Sequence, residues 1–149
     1  VITLRTFSKA YGLAGLRVGY AMAQPDAIDL LNKVRQPFNV TAMAQAAALA
    51  ALEDEEYLIR SRQMLKEGRA QLMAGMRKLG LDPVESVTNF ILFPFDKAGE
   101  LTAALTKRKV IVRPMAGFGL PHHVRVSVGL AAENAQFLTA LEAALAELV

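Results

Sequence analysis

A long leucine-patterned segment near the middle of the chain restricts the folds that this sequence can adopt. Leucines recur every seven residues along it, and methionines fill the same side: Leu58, Leu65, Leu72, Leu79, Met64, Met73 and Met76. This spacing predicts one helix from about Asp54 to Leu79. Gly80 is suited to a C-cap and Pro83 lies just beyond it, so the helix is expected to end there. The helix leads from one strand-bearing part of the chain into another.

The part before this helix combines strands and helices. Its expected elements are a strand over 1–7, a glycine-containing loop over 8–15, a strand over 17–22, and helices over 25–34 and 42–52. Pro25 suits a first helical turn, and Thr41 can cap the alanine-rich helix that follows it.

The part after the helix alternates strands and helices again. Its expected elements are a strand over 88–93, a helix over 99–107, a strand over 110–113, a loop over 114–121, a strand over 124–128 and a helix over 132–148. We therefore predict an α/β fold class. Residues 1–40 would end an α/β unit, 41–80 would form connecting helices, and 81–149 would form a compact α+β unit.

Composition excludes several classes of protein. Hydrophobic residues make up 53% of the 149 residues, too many for a disordered chain. The net charge of +3 is too small for a dedicated nucleic-acid binder. The chain has no cysteine, which excludes disulfides and cysteine–zinc sites. No membrane span or signal peptide is expected, so a cytoplasmic location is expected. The missing initial Met and the high apolar content predict a piece of a larger protein.

The segment from Thr6 to Arg17 carries the most informative chemistry. Lys9 lies between a strand end and a glycine-containing loop, with the hydroxyls of Thr6 and Ser8 before it and Arg17 after it. Hydroxyls and a guanidinium together make an anion site, and a nearby amine can act as a nucleophile. The alternative is a solvated lysine in a turn with Arg17 in a surface ion pair, and spacing alone favours that alternative.

The whole string, Thr-x-Ser-Lys-Ala-x-Gly-Leu-Ala-Gly-Leu-Arg-x-Gly, resembles the pyridoxal-phosphate lysine signature of fold-type I aminotransferases of the class-II kind. Further blocks resemble those of histidinol-phosphate aminotransferases, at residues 35–40, 110–114, 117–121 and 124–129. The resemblance spans nearly the whole chain. It implies the C-terminal part of a fold-type I enzyme, with the end of its large cofactor domain followed by an α+β small domain.

The resemblance implies a site for pyridoxal 5′-phosphate in the lysine segment. Lys9 matches the lysine that bonds to the cofactor aldehyde and later carries a proton between substrate and cofactor. Arg17 matches the arginine that clamps the cofactor phosphate, with Thr6 and Ser8 as hydroxyl donors.

A substrate site is implied in the second part of the chain. Arg125 matches the arginine that takes the substrate α-carboxylate, and Arg113 matches the arginine near the substrate phosphate. A substrate with two anionic groups needs two such arginines. The residues by themselves favour surface charge at strand ends, so these two roles depend on the resemblance. His122 and His123 would point to opposite faces of an extended segment, which favours a polar loop over a metal site.

The reaction implied is amino transfer between L-histidinol phosphate and 2-oxoglutarate in histidine biosynthesis. The implied partners are these small molecules and a second copy of the complete protein in a homodimer, without nucleic acid or membrane. An aromatic amino-acid aminotransferase and a phospho-amino-acid decarboxylase are the alternatives among enzymes. The alternative outside enzymes is an inactive fragment that acts only as a folded module.

Overall fold

The computed structural model describes residues 1–148 and divides the chain within its longest helix. Unit 1 comprises residues 1–62, and unit 2 begins at residue 63. Each unit has its own hydrophobic core.

Unit 1 begins with a two-stranded antiparallel sheet. Strand β1 (Thr3–Thr6) pairs with β2 (Gly19–Met22). Both strands were expected, because β-branched and apolar residues fit a pleated surface. The segment between them was expected to be a plain loop, but it contains a short 3₁₀ turn at Ala14–Leu16. The core of unit 1 contains Phe7, Val18, Ala44 and Ala48.

Unit 1 also contains two helices, both of which were predicted. Helix α1 spans Pro25–Val34 and α2 spans Ala42–Glu53. The side chain of Thr41 accepts a hydrogen bond from the Ala44 N–H at 3.1 Å, which confirms the expected cap. Within the described chain, no residue of α1 is buried.

The predicted central helix is confirmed as α3, which spans Glu55–Lys78. Asp54 Oδ1 accepts from the Tyr57 N–H at 2.8 Å and caps its first turn. At the other end, the Leu81 N–H donates to the Met76 carbonyl at 3.1 Å, the bond typical of a glycine-terminated helix. Leu72, Met73 and Met76 from the expected apolar stripe are buried.

Unit 2 contains a three-stranded antiparallel sheet and two further helices. The strands are β3 (Phe90–Pro94), β4 (Arg113–Pro114) and β5 (His123–Ser127), in the order β3-β5-β4. The helices are α4 (Ala98–Lys107) and α5 (Ala131–Leu148). The largest fully buried side chains are Leu72, Met76, Ile91, Phe93, Leu101, Leu105, Val124 and Leu141. Their burial provides the main stabilisation of this unit.

The strand predicted over 110–113 is wrong in extent. Only Arg113 and Pro114 pair with β5. The Val110 N–H donates instead to the Leu105 carbonyl at 3.0 Å, and Lys109 has a φ of +61°. The backbone that would begin the strand therefore terminates helix α4, which overrides the β propensity of the apolar run.

Strand β3 begins two residues later than expected. Thr88 lies instead in a local turn, in which its N–H donates to Ser86 Oγ at 3.1 Å, and such side-chain bonds offer the backbone an alternative to a regular strand. No helix in the described residues is long and apolar enough to cross a lipid bilayer.

Candidate active site

The lysine segment is a tight turn after β1. The Gly12 N–H donates to the Lys9 carbonyl at 2.9 Å, and the Leu13 N–H donates to the Phe7 carbonyl at 2.9 Å. Gly12 has a φ of +70°, and a Cβ there would lie 2.6 Å from the Tyr57 hydroxyl oxygen. The left-handed backbone conformation therefore favours glycine here, and any larger residue would also displace the Tyr57 side chain. The turn leaves Lys9 exposed.

Thr6, Ser8 and Arg17 line one open depression of about 410 Å³ beside β1 and β2. Thr6 Oγ1 donates to Ser8 Oγ at 2.9 Å and accepts from the Ser8 N–H at 3.1 Å. Arg17 Nη1 donates to the Ala14 carbonyl at 2.8 Å. Two hydroxyls and a guanidinium thus converge on one depression, and such donors suit a phosphate group. Lys9 follows Ser8 in the chain but does not line this depression.

Arg17 has a backbone φ of +54°, in the left-handed region. That conformation is uncommon for a residue with a side chain and costs about 1 kcal/mol or more. Among residues 1–148, no carboxylate lies within ion-pair distance of Arg17. Its charge is therefore not neutralised by the part of the chain that the structure describes.

In unit 2, Arg113 and Arg125 face each other directly across the β4–β5 pair. They line one depression of about 470 Å³, together with Ser127. Neither arginine forms an ion pair with a carboxylate in the described chain. Like charges directly opposite each other destabilise a sheet, and an anionic ligand between them would reverse that effect.

Arg125 has an unusual environment that sequence reasoning missed. Its guanidinium carbon lies 4.8 Å from the centre of the Phe90 ring. Its Nε is buried and has no hydrogen-bond acceptor among the described residues. The sequence indicated only that Phe90 belongs to a strand, because the contact depends on the register of β3 against β5.

The two adjacent histidines do not converge. His122 Nδ1 lies 3.2 Å from the Asp96 carbonyl oxygen, while the half-buried His123 lies on β5. Within residues 1–148, no group of three or more histidine, cysteine, aspartate or glutamate side chains is arranged to hold a metal ion.

A profile of the family described as aminotransferase class I and II matches residues 1–141. The chain belongs to the class I and II aminotransferase family. It is 53% identical, over 98% of its length, to histidinol-phosphate aminotransferase 2 of Pseudomonas fluorescens, of which it covers 40%. It is 54% identical, over 93% of its length, to a histidinol-phosphate aminotransferase of Methylobacillus flagellatus, of which it covers 38%.

The fold of this class I and II aminotransferase chain is found in a solved relative. The crystal structure of histidinol-phosphate aminotransferase from Sinorhizobium meliloti, in complex with pyridoxal-5′-phosphate, matches with a TM-score of 0.84 and 31% identity. The match covers 100% of this chain and 42% of that one. The predicted fold class, part of a fold-type I α/β transferase, is thereby confirmed.

These matches also confirm the resemblance to histidinol-phosphate aminotransferases. The chain spans about 40% of the length of the curated relatives that it matches. The roles expected for the six site residues and the three-part domain division stay predictions. The residues concerned are Thr6, Ser8, Lys9, Arg17, Arg113 and Arg125.

Proposed function

We propose that the complete protein is a pyridoxal-phosphate-dependent aminotransferase that exchanges an amino group between L-histidinol phosphate and 2-oxoglutarate in histidine biosynthesis. Two relatives above 50% identity carry the name of that enzyme. The structural observation that supports the proposal best is the facing pair Arg113 and Arg125, which no carboxylate of the described chain neutralises. Such a pair suits the two carboxylates of 2-oxoglutarate, and it can also hold the phosphate, which is the one anionic group of L-histidinol phosphate.

The residues of unit 1 fit the cofactor. Arg17, Thr6 and Ser8 would hold its phosphate in the depression beside β1 and β2. The bound cofactor would act as an electron sink for the substrate carbon that loses a proton. Nζ of Lys9 would take that proton and return it, which is general acid–base catalysis by a positioned amine.

The two arginines of unit 2 would orient the substrates. Arg125 would form two parallel hydrogen bonds to a carboxylate of 2-oxoglutarate, because a guanidinium matches the planar geometry of a carboxylate. Arg113 would take the phosphate of L-histidinol phosphate or the second carboxylate of the oxo acid. Binding both carboxylates of 2-oxoglutarate limits the orientations in which it can react.

The organisation of the complete protein is part of the proposal. Residues 1–40 would end a large cofactor domain, 41–80 would form connecting helices, and 81–149 would form a small α+β domain. The active form would be a homodimer in the cytoplasm, with small molecules as its substrates and with neither nucleic acid nor membrane as a partner. Unit 1 exposes many apolar side chains, among them Phe38, which is 97% exposed. This exposure supports the proposal that further chain or a second copy covers them.

Complementation tests the reaction. The complete gene should restore growth of a histidine auxotroph that lacks this enzyme, and the variant Lys9→Ala should not. Lys33→Ala is the matched control, since Lys33 lies exposed on α1. No growth with the wild-type gene would contradict the proposal. Transamination of phenylalanine without growth would favour an aromatic amino-acid aminotransferase instead.

Visible absorbance tests the cofactor site separately. The purified complete protein with pyridoxal 5′-phosphate should absorb in the visible range, and Lys9→Ala should lose that band because the covalent bond to Nζ cannot form. Identical spectra of the two proteins would mean that Lys9 has no such role. The same measurement on this chain alone tests whether it is only a folded module.

A further inference from the structure

The register of the unit 2 sheet sets Phe90 beside Arg125. Phe90 is opposite Ser127 and Leu92 is opposite Arg125, so Phe90 is the diagonal neighbour of Arg125 on the same face. Ile91 and Phe93 point to the other face and are fully buried. The Phe90 ring is thus directed away from the core, on the face that bears the arginine.

The contact between the ring and the guanidinium has the geometry of a cation–π interaction. The 4.8 Å separation between Arg125 Cζ and the ring centre lies within the usual limit of about 6 Å. A ring holds a guanidinium without adding a negative charge. A carboxylate in the same position would neutralise Arg125 and compete with an anionic ligand, whereas Phe90 leaves its charge available.

The buried Nε of Arg125 supports this assignment. It has no hydrogen-bond acceptor among the described residues, so no hydrogen bond from Nε fixes the orientation of the guanidinium. The Phe90 ring is therefore a principal contact that holds the guanidinium plane.

Phe90 is itself held by two hydroxyl groups. Ser86 Oγ donates to the Phe90 carbonyl at 2.7 Å, and Thr88 Oγ1 donates to the same carbonyl at 3.1 Å. The Phe90 N–H donates to Thr88 Oγ1 at 3.3 Å. Both backbone polar groups of Phe90 are therefore fixed by side chains that precede it, which restricts the position of the ring.

We propose that Phe90 is a positioning residue that holds Arg125 for the carboxylate of 2-oxoglutarate without neutralising it. The assignment rests on the proposed function for the identity of this substrate. Phe90 itself does not need to contact the substrate. Its loss would affect the affinity for the carboxylate more than the chemical step.

The test uses the complete holoenzyme and three phenylalanine variants. Phe90→Leu keeps an apolar side chain but removes the ring, and it should raise KM for 2-oxoglutarate about 3- to 10-fold with kcat within about twofold. Phe90→Tyr keeps the ring and should have the same KM as the wild type. Phe95→Leu is the matched control, because Phe95 follows β3 and packs against the core, and its KM should not change.

Two further measurements keep the test independent of folding and turnover. Thr88→Val removes one of the two hydroxyls that hold Phe90 and should raise the same KM by a smaller factor. It replaces Phe90→Leu in the test if that variant does not fold. Calorimetric titration with succinate, a dicarboxylate that cannot react, should give a Kd about 3- to 10-fold weaker in Phe90→Leu.

The outcomes separate the two proposals. If the complete protein does not transaminate but binds succinate in a Phe90-dependent way, the proposed function fails and the role of Phe90 stands. If transamination proceeds and Phe90→Leu has the wild-type KM and Kd, the role of Phe90 is overturned. The role is also overturned if Phe90→Tyr loses as much affinity as Phe90→Leu, if only kcat falls, or if wild-type protein does not bind succinate.

Discussion

At the scale of single residues, the facing arginines of unit 2 destabilise the sheet but can bind an anionic ligand. Arg113 and Arg125 are cross-strand partners, and like charges in that position repel. Of the two, Arg113 is exposed and Arg125 is half-buried, with its guanidinium against the Phe90 ring. It is therefore the residue of the pair whose geometry should matter most for a bound carboxylate.

Arg125→Lys should lower kcat/KM for 2-oxoglutarate about 10- to 100-fold in the complete enzyme. A lysine keeps the charge but cannot form the two parallel hydrogen bonds that a guanidinium makes to a carboxylate. Steady-state kinetics measures the effect, with Arg62→Lys at an exposed position of α3 as the control. An unchanged kcat/KM would show that Arg125 does not bind the carboxylate.

Glu147 should make stability depend on pH in the acid range. The hydrogen bond from Arg108, together with the Arg108 charge, lowers the pKa of Glu147 below its ordinary value of 4.5. Because the folded-state pKa is depressed, the stabilisation is present above the unfolded-state pKa and is lost as the pH falls through the folded-state pKa. The effect is small, since this carboxyl is exposed to solvent.

Urea unfolding between about pH 7 and about pH 3 measures this dependence. Glu147→Gln should flatten the fall in the free energy of unfolding below about pH 4.5. Glu142→Gln, at an exposed position on the same helix, should leave it as in the wild type. Equal acid dependence in Glu147→Gln and the wild type would contradict the assignment.

At the scale of elements, most helices of this chain could be predicted from the sequence. Helices α1, α2 and α3 begin and end within a residue or so of expectation, because proline, cap residues and a terminal glycine act locally. The strand expected over 110–113 is limited to Arg113 and Pro114, because the end of α4 uses the Val110 N–H. The end of a helix and the start of a strand compete here for the same backbone N–H. The side-chain pattern does not show this competition, so the β propensity of the segment did not predict it.

Asn134 connects elements of unit 2 and should be costly to replace. It is 2% exposed, accepts from the Gly129 N–H at 2.9 Å, and donates to the Gly129 carbonyl and to Gln71 on α3. Asn134→Ala should lower the free energy of unfolding by about 2–3 kcal/mol, because buried partners lose their hydrogen bonds. Gln136→Ala, exposed on the same helix, is the control. A loss below about 0.5 kcal/mol in Asn134→Ala would contradict this account.

At the scale of the whole molecule, unit 1 exposes many large apolar side chains. Those at least 60% exposed in this unit include Val1, Leu4, Leu30, Val34, Phe38, Met43, Leu49 and Ile59. Large apolar side chains exposed in such number are typical of surface that a partner covers, so further chain or a second copy is expected to cover those that lie close together. The proposed complete homodimer would supply both.

This chain alone should therefore bind a hydrophobic dye such as anilinonaphthalene sulfonate more strongly per mole than the complete protein does. Fluorescence titration of both proteins at equal chain concentration measures the difference. Replacing Leu30 and Val34 with Glu should reduce the dye signal of this chain, and replacing the exposed Asp26 and Asp29 with Asn should not. Equal dye binding by this chain and the complete protein would contradict the expectation.

The sequence by itself determined the helices, the glycine-containing loop after Lys9 and the family resemblance, because each depends on residues close together along the chain. Periodicity, caps and glycines act over a few residues. Only the tertiary structure set Arg113 opposite Arg125 and laid Phe90 over the guanidinium. These contacts depend on the register of strands separated by a helix and loops. That register is selected by burial of Ile91, Phe93, Val124 and Val126 in a shared core. Burial of one face determines which residues meet on the other.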